Sequence, residues 1–220
     1  MKRIAFYGGS FDPIHNGHLA IAKELTKLFA LDEFNFVPAF HAPHKKDKQV
    51  SSAFHRYSML ALATNNESKI KISTIELDAP ERPYTIETQG KIKAQFSESQ
   101  IFFVIGADSW AEIDTWRDWE NVLTATNIIV VTRPDYEITF SHVTDVARER
   151  IVDLRGKMEF ATNSEAKIYI TDAVNLDISA TEIRQKVKEN ADGWQEFVPK
   201  EIVNYIEKYG LYSIVETRTK

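Results

Sequence analysis

The chain has 220 residues with no cysteine, 43% of them aliphatic or aromatic and 27% charged, and a formal net charge of −5. That is the composition of a globular chain able to bury a full core as one domain over residues 1–220, and it excludes disulfides, thiolate nucleophiles and cysteine-based zinc sites. The basic residues are spread along an acidic chain, which argues against nucleic acid or an anionic membrane as partner, so any polyanion must be held locally.

In chain order, MKRIAFYGG turns into glycine too soon for a signal-peptide apolar region, and no later run reaches spanning length. A cytoplasmic protein is predicted, and a homo-oligomer is compatible with the sequence. β-rich runs recur at RIAFYG, EFNFVP (33–38), KIKISTIEL (69–77), QIFFVIG (100–106), NIIVV (127–131) and AKIYITDA (166–173). Helical faces lie between them, carried by Leu19, Ala22, Leu25, Leu28 and Phe29, and by Ile113, Trp116, Val122 and Leu123. The charged stretch 135–156 predicts a variable connection with some helix around VTDVARER. PKEIVNYIEKYG predicts a helix with Pro199 at its first position, Ile202, Tyr205, Ile206 and Tyr209 on a face, and Gly210 as its stop. Strand and helix in alternation imply an α/β fold, a mainly parallel sheet flanked by helices, with helices again at the C-terminal end.

The chemistry concentrates in GGSFDPIHNGHL, residues 8–19. Gly8 and Gly9 fall where the first strand turns into the first helix, and Asn16 is a plausible cap for a helix starting near Gly17 and His18. In an α/β sheet that turn faces the ligand crevice, and a helix start there attracts phosphate. There is no G-x-G-x-x-G and no G-K-[ST], so this is neither a dinucleotide fingerprint nor a P-loop. His15 and His18 stand three apart, which lets both imidazoles address an anion at the helix start. Two plainer readings are a two-histidine metal site, for which no local carboxylate or histidine completes a familiar triad, and a pair that only caps and packs.

A second anion-ready helix start lies at ISATEIR, residues 178–184. Ser179 and Glu182 satisfy the S-x-x-E capping box, so a well-capped helix explains them structurally. The two hydroxyls of Ser179 and Thr181, with Arg184 a turn later, also suit phosphate oxygens. Two such sites in one chain suggest a triphosphate.

GGSFDPIHNGH together with ISATEIR resembles the nucleotidyltransferase superfamily marked by a His-x-x-His motif. VPAFHAPHK, YTIET, FFVIGADSW, DTWRDW and VVTRP extend the resemblance over nearly the whole chain to the nicotinate mononucleotide adenylyltransferase family. The resemblance implies a Rossmann-like nucleotidyltransferase fold and transfer of AMP from ATP to nicotinate mononucleotide, giving nicotinate adenine dinucleotide and pyrophosphate in NAD biosynthesis. Mg²⁺ would arrive with ATP rather than in a protein cage. The resemblance makes His15, His18 and Arg184 catalytic. It assigns ATP binding to these three with Gly8, Gly9, Ser10, Phe11, Gly106, Asp108, Ser179 and Thr181, and the mononucleotide to Lys45, Tyr84, Thr85 and Trp116. Arg82 and Pro83 depart from the glycine and serine usual before the Tyr-Thr pair, which bears on the choice of acid over amide. A dual-specificity nicotinate/nicotinamide enzyme is therefore one alternative, and a non-catalytic nucleotide sensor is another. A phosphopantetheine adenylyltransferase or a cytidylyltransferase would share the first motif, but HAPHK and DTWRDW argue against both.

Overall fold

The computed structural model describes residues 1–40, 50–133, 137–157, 160, 165–174 and 176–213. Its strands are β1 (Lys2–Gly9), β2 (Glu33–Pro38), β3 (Ile70–Ile72), β4 (Ser99–Gly106), β5 (Asn127–Val131), β6 (Ile151–Asp153) and β7 (Ile168–Thr171). They form one sheet in the order β3-β2-β1-β4-β5-β7-β6, and every pairing is parallel. The helices are α1 (Asn16–Leu28), α2 (Ala53–Thr64), α3 (Thr85–Gln95), α4 (Ala107–Ala111), α5 (Trp119–Ala125), α6 (Asp145–Arg148), α7 (Ala180–Lys188) and α8 (Lys200–Tyr209).

Side chains alternate across a strand, so a sheet covered on both faces needs apolar residues at consecutive positions. β1 meets that need by sending Ala5 and Tyr7 into one core and Ile4 and Phe6 into the other. β4 divides in the same way, Phe102 and Val104 against Ile101, Phe103 and Ile105. The first core is closed by Leu25 of α1, Met59 of α2, Ile183 of α7 and Ile202 of α8. The second is closed by Ile92 of α3, Trp110 of α4, Leu123 of α5 and Ala147 of α6.

Four sequence expectations are corrected locally. The 69–77 run is strand only over Ile70–Ile72, because the chain then folds into a turn in which Thr74 Oγ1 donates to Asp78 Oδ2 at 2.6 Å. The face drawn from Ile113 to Leu123 is not one helix. A 3₁₀ turn at Ile113–Thr115 ends at Trp116 in extended backbone, and Asp118, in the left-handed region at φ 54°, opens α5. The 135–156 stretch carries the expected helix as α6 but also β6, a short edge strand too charged and exposed to read as one. Pro199 stands one residue outside α8, while Gly210, at φ 58°, ends that helix as expected.

Candidate active site

Strand order reverses between β1 and β4, whose neighbours run outward in opposite directions, and a crevice opens beyond the carboxyl ends of these strands. A cleft of about 490 Å³ occupies this place, lined by the ends of β1, β4 and β5 and the starts of α1, α3 and α7. Gly8, Gly9 and Ser10 form its floor at β1. A methyl group at Gly9 would come within 2.8 Å of the Phe11 ring, so only glycine lets the chain fold over that buried side chain. Phe11 does not line the cleft. It is buried at φ 48° and sets its ring edge-on to His18, with centroids 5.0 Å apart. At the end of β4, Asp108 Oδ1 accepts the Ser109 N–H at 2.9 Å and lies 2.5 Å from where a Cβ on Gly106 would sit. Both Gly106 and Asp108 line the cleft.

The cap of α1 is His15, not Asn16. His15 Nδ1 accepts the His18 N–H, and His18 Nδ1 accepts the His15 N–H, each at 3.4 Å, so the two imidazoles cap the helix reciprocally. Asn16 instead donates its side-chain N–H to the Glu196 carbonyl at 3.0 Å. The imidazole rings stack with centroids 3.6 Å apart, and both line the cleft. Burial first, and then the positive charge of Arg133, push the His15 imidazole down to about 3. Burial, then His15 and Arg133, hold His18 well below its ordinary 6.5. Both rings are therefore neutral near pH 7 in the free protein. Each Nδ1 is used as an acceptor, so each ring carries its proton on Nε2 as a hydrogen-bond donor. The motif thus offers two N–H donors backed by a helix start, and the positive charge comes from elsewhere.

At the second motif the expected capping box is not formed. Ser179 occupies the cap of α7, but its hydroxyl makes no cap bond. Ser179 and Thr181 line the same cleft as the histidines. Arg184 does not. It lies one helical turn on from Thr181, donating to the Thr181 hydroxyl at 3.1 Å and to the Asp12 backbone carbonyl, and so ties α7 to the loop that carries His15.

Tyr84, Thr85 and Trp116 all line the cleft. With the break after the 3₁₀ turn, Trp116 lines the cleft half-buried, while it also packs against the edge of the second core. The Tyr84 N–H is taken by Glu87 Oε2 at 3.0 Å and the Trp116 N–H by the Ile113 carbonyl at 3.0 Å, so neither backbone group is available to a ligand. Arg82, Pro83 and Arg117 line it too, the Arg117 guanidinium lying over the Tyr84 ring 4.5 Å from its centroid. Glu76 faces them, accepting from the Thr88 hydroxyl at 3.0 Å, and burial pushes its carboxyl up. Lys45 lies outside the described residues.

Sequence reasoning missed Arg133, which lies two residues beyond β5, lines the cleft and acts electrostatically on both histidines. Its signal was an arginine just past the carboxyl end of an apolar parallel strand, where ligands are met. Among the described residues, no group of three or more histidine, aspartate or glutamate side chains could hold a metal. No helix there is long and apolar enough to cross a membrane.

A parallel sheet with its crevice at the strand-order reversal, and two helix starts facing one cleft, define a nucleotide-binding enzyme of the nucleotidyltransferase type. Residues 6–186 match the cytidylyltransferase-like family. A probable nicotinate-nucleotide adenylyltransferase of Corynebacterium jeikeium is 34% identical over 93% of this chain and 98% of its own length. One of Clostridium perfringens is 34% identical over 96% and 98%. The Plasmodium falciparum nicotinic acid mononucleotide adenylyltransferase in complex with NaAD has the same fold, with a TM-score of 0.74, 23% identity, and 96% of this chain and 98% of that one covered. The chain belongs to the cytidylyltransferase-like family and, within it, to the nicotinate-nucleotide adenylyltransferases.

Proposed function

We propose that this protein joins nicotinate mononucleotide to the AMP moiety of ATP, forming nicotinate adenine dinucleotide and pyrophosphate in NAD biosynthesis. The observation that carries the reading is one cleft lined both by the neutral histidine pair and by the start of α7. An oxygen of the mononucleotide 5′-phosphate attacks the α-phosphorus of ATP, the bond to the bridging oxygen breaks, and pyrophosphate leaves with the electron pair. The nucleophile belongs to the substrate, so the protein's task is positioning and stabilisation of charge.

The Nε2–H groups of His15 and His18 donate to the α-phosphate, with Arg133 as the nearby cation. Ser179 and Thr181 take the β and γ phosphates at the start of α7, which Arg184 holds in place from beneath. Gly106 and Asp108 meet the ribose hydroxyls of ATP. Trp116 and Tyr84 take the pyridine ring, with Thr85 and the cations Arg82 and Arg117 at its carboxylate. Mg²⁺ bound to the ATP phosphates would offset their charge, an assignment that suits a cleft whose described acidic residues make no cage. Residues 1–220 act as one nucleotidyltransferase domain, and the reaction it serves is cytoplasmic.

Pyrophosphate release, measured with ATP and a panel of mononucleotides, tests the reading. The acid should exceed nicotinamide mononucleotide in kcat/KM by about thirty- to a thousandfold, since an amide presents N–H to groups placed as donors. Equal values would make this a dual-specificity enzyme, and ATP binding without pyrophosphate release would make it a sensor.

A further inference from the structure

Three residues before His15, the Asp12 side chain is 1% exposed, and no step of the proposed reaction uses it. Its Oδ1 accepts a hydrogen bond of 2.7 Å from the hydroxyl of Tyr212, two hundred residues away in sequence. Its Oδ2 accepts the Ser51 N–H at 3.2 Å, and its backbone carbonyl accepts from Arg184 of the second motif. The buried Arg56 guanidinium acts electrostatically on the same cluster. It donates to the carbonyl of Ser10 at 2.9 Å and to that of Ala39 at 2.6 Å, the residues just past β1 and β2. Asp12 thus joins the histidine loop, through its carboxylate, to the segment entering α2 and the tail beyond α8, and, through its backbone carbonyl, to the helix of the second motif.

The tail is shaped to reach it. Gly210 ends α8 in the left-handed region, the Leu211 N–H returns to the Ile206 carbonyl at 3.0 Å, and Tyr212 itself sits at φ 68°, a conformation rare for a tyrosine. Burial and the facing carboxylate keep the phenol protonated, so it acts toward Asp12 only as a donor.

We propose that Tyr212 and Asp12 are positioning residues for the adenylyl transfer: the tail hydroxyl locks Asp12, and Asp12 holds the 10–15 loop so that the paired imidazoles present Nε2–H to phosphate. The inference rests on the reaction proposed above. In full-length protein, Tyr212→Phe should lower kcat by about ten- to a hundredfold, the cost of a small misplacement at the reacting centre, with KM for ATP within about threefold. It should also shift the imidazole ¹H–¹⁵N signals of His15 and His18 without nucleotide. Tyr205→Phe is the control, because it removes another hydroxyl of the same C-terminal region, bonded to His55 at 3.0 Å rather than to the loop. It should move neither kcat nor the signals. Should Tyr212→Phe fail near-ultraviolet circular dichroism, Asp12→Asn must give the same pair of changes. Unchanged imidazole signals in the folded variant, or equal changes in Tyr205→Phe, would overturn the proposal. Failure of the wild type to release pyrophosphate would instead overturn the assigned reaction, and the nucleotide-free imidazole signals would still decide the positioning.

Discussion

His15 and His18 each use Nδ1 to cap α1, which leaves Nε2 of each ring outside the cap, and the three-residue spacing is what lets the two caps be reciprocal. The proposed reaction uses those Nε2–H groups toward phosphate. Replacing His18 by alanine should lower turnover at least about a hundredfold, a loss typical of one donor at a developing charge. It should also cost roughly 1 kcal/mol of stability as a lost cap partner. Pyrophosphate release and thermal melting measure the two effects separately. Burial makes the pair pH-sensitive in a definite direction. The unfolded chain binds protons at histidines below about 6.5, whereas folded His15 stays neutral down to about 3 and His18 to well below 6.5. Their contribution is therefore complete above 6.5 and is lost as pH falls from there toward 3. The melting temperature of nucleotide-free protein should decline across that window, and less steeply in His15→Gln. Parallel curves for the two proteins would remove His15 as the cause. The spacing was legible in the sequence, but neutrality was not, because desolvation depends on what the other elements place over the rings.

α7 separates a cap from a ligand contact. A serine at a helix cap ordinarily contributes about 0.5–2 kcal/mol through its hydroxyl, but the Ser179 hydroxyl makes no such bond. Ser179→Ala should leave stability within about 0.5 kcal/mol while raising KM for ATP about tenfold, the signature of a lost phosphate contact. Denaturant titration and steady-state kinetics test this together, and a stability loss with unchanged KM would restore the capping role. The stretch from the 3₁₀ turn at Ile113–Thr115 into α5 teaches a related lesson. Helical periodicity places Trp116 with Val122 and Leu123, yet the left-handed Asp118 interrupts the helix and turns the indole to the cleft. Trp116→Ala should weaken the mononucleotide by about 1–3 kcal/mol of apparent affinity and ATP much less, as expected for a stacking face. A large fall in melting temperature with equal effects on both substrates would mark it as a core residue. The β-strands were more legible, because a two-sided apolar run needs no knowledge of its neighbours.

At the scale of the whole molecule, Arg56 is 2% exposed and its guanidinium binds carbonyls from two connections, at Ser10 after β1 and at Ala39, Phe40 and Ser51 between β2 and α2. Removing it leaves several carbonyls without donors and takes a positive charge from the neighbourhood of buried Asp12. Arg56→Ala should therefore destabilise the fold by about 3–5 kcal/mol, read from the denaturation midpoint at constant slope. A loss below about 1 kcal/mol would mean that water replaces the guanidinium and that the loops hold themselves.

What the sequence determined by itself was whatever is local in origin. The strand-helix alternation, the glycine turn after β1, the helix start bearing His15 and His18 and the one bearing Ser179 and Thr181 all follow from periodicity and turn chemistry within a few residues of each feature. Only the tertiary structure decided that these helix starts line one cleft, that Arg133 lines it and acts on both histidines, and that Arg184 bonds to the Asp12 carbonyl rather than lining the wall. It alone joined Asp12 to Tyr212. Such contacts are set by the order in which parallel strands assemble, and that order brings together residues whose separation along the chain carries no signal of their proximity.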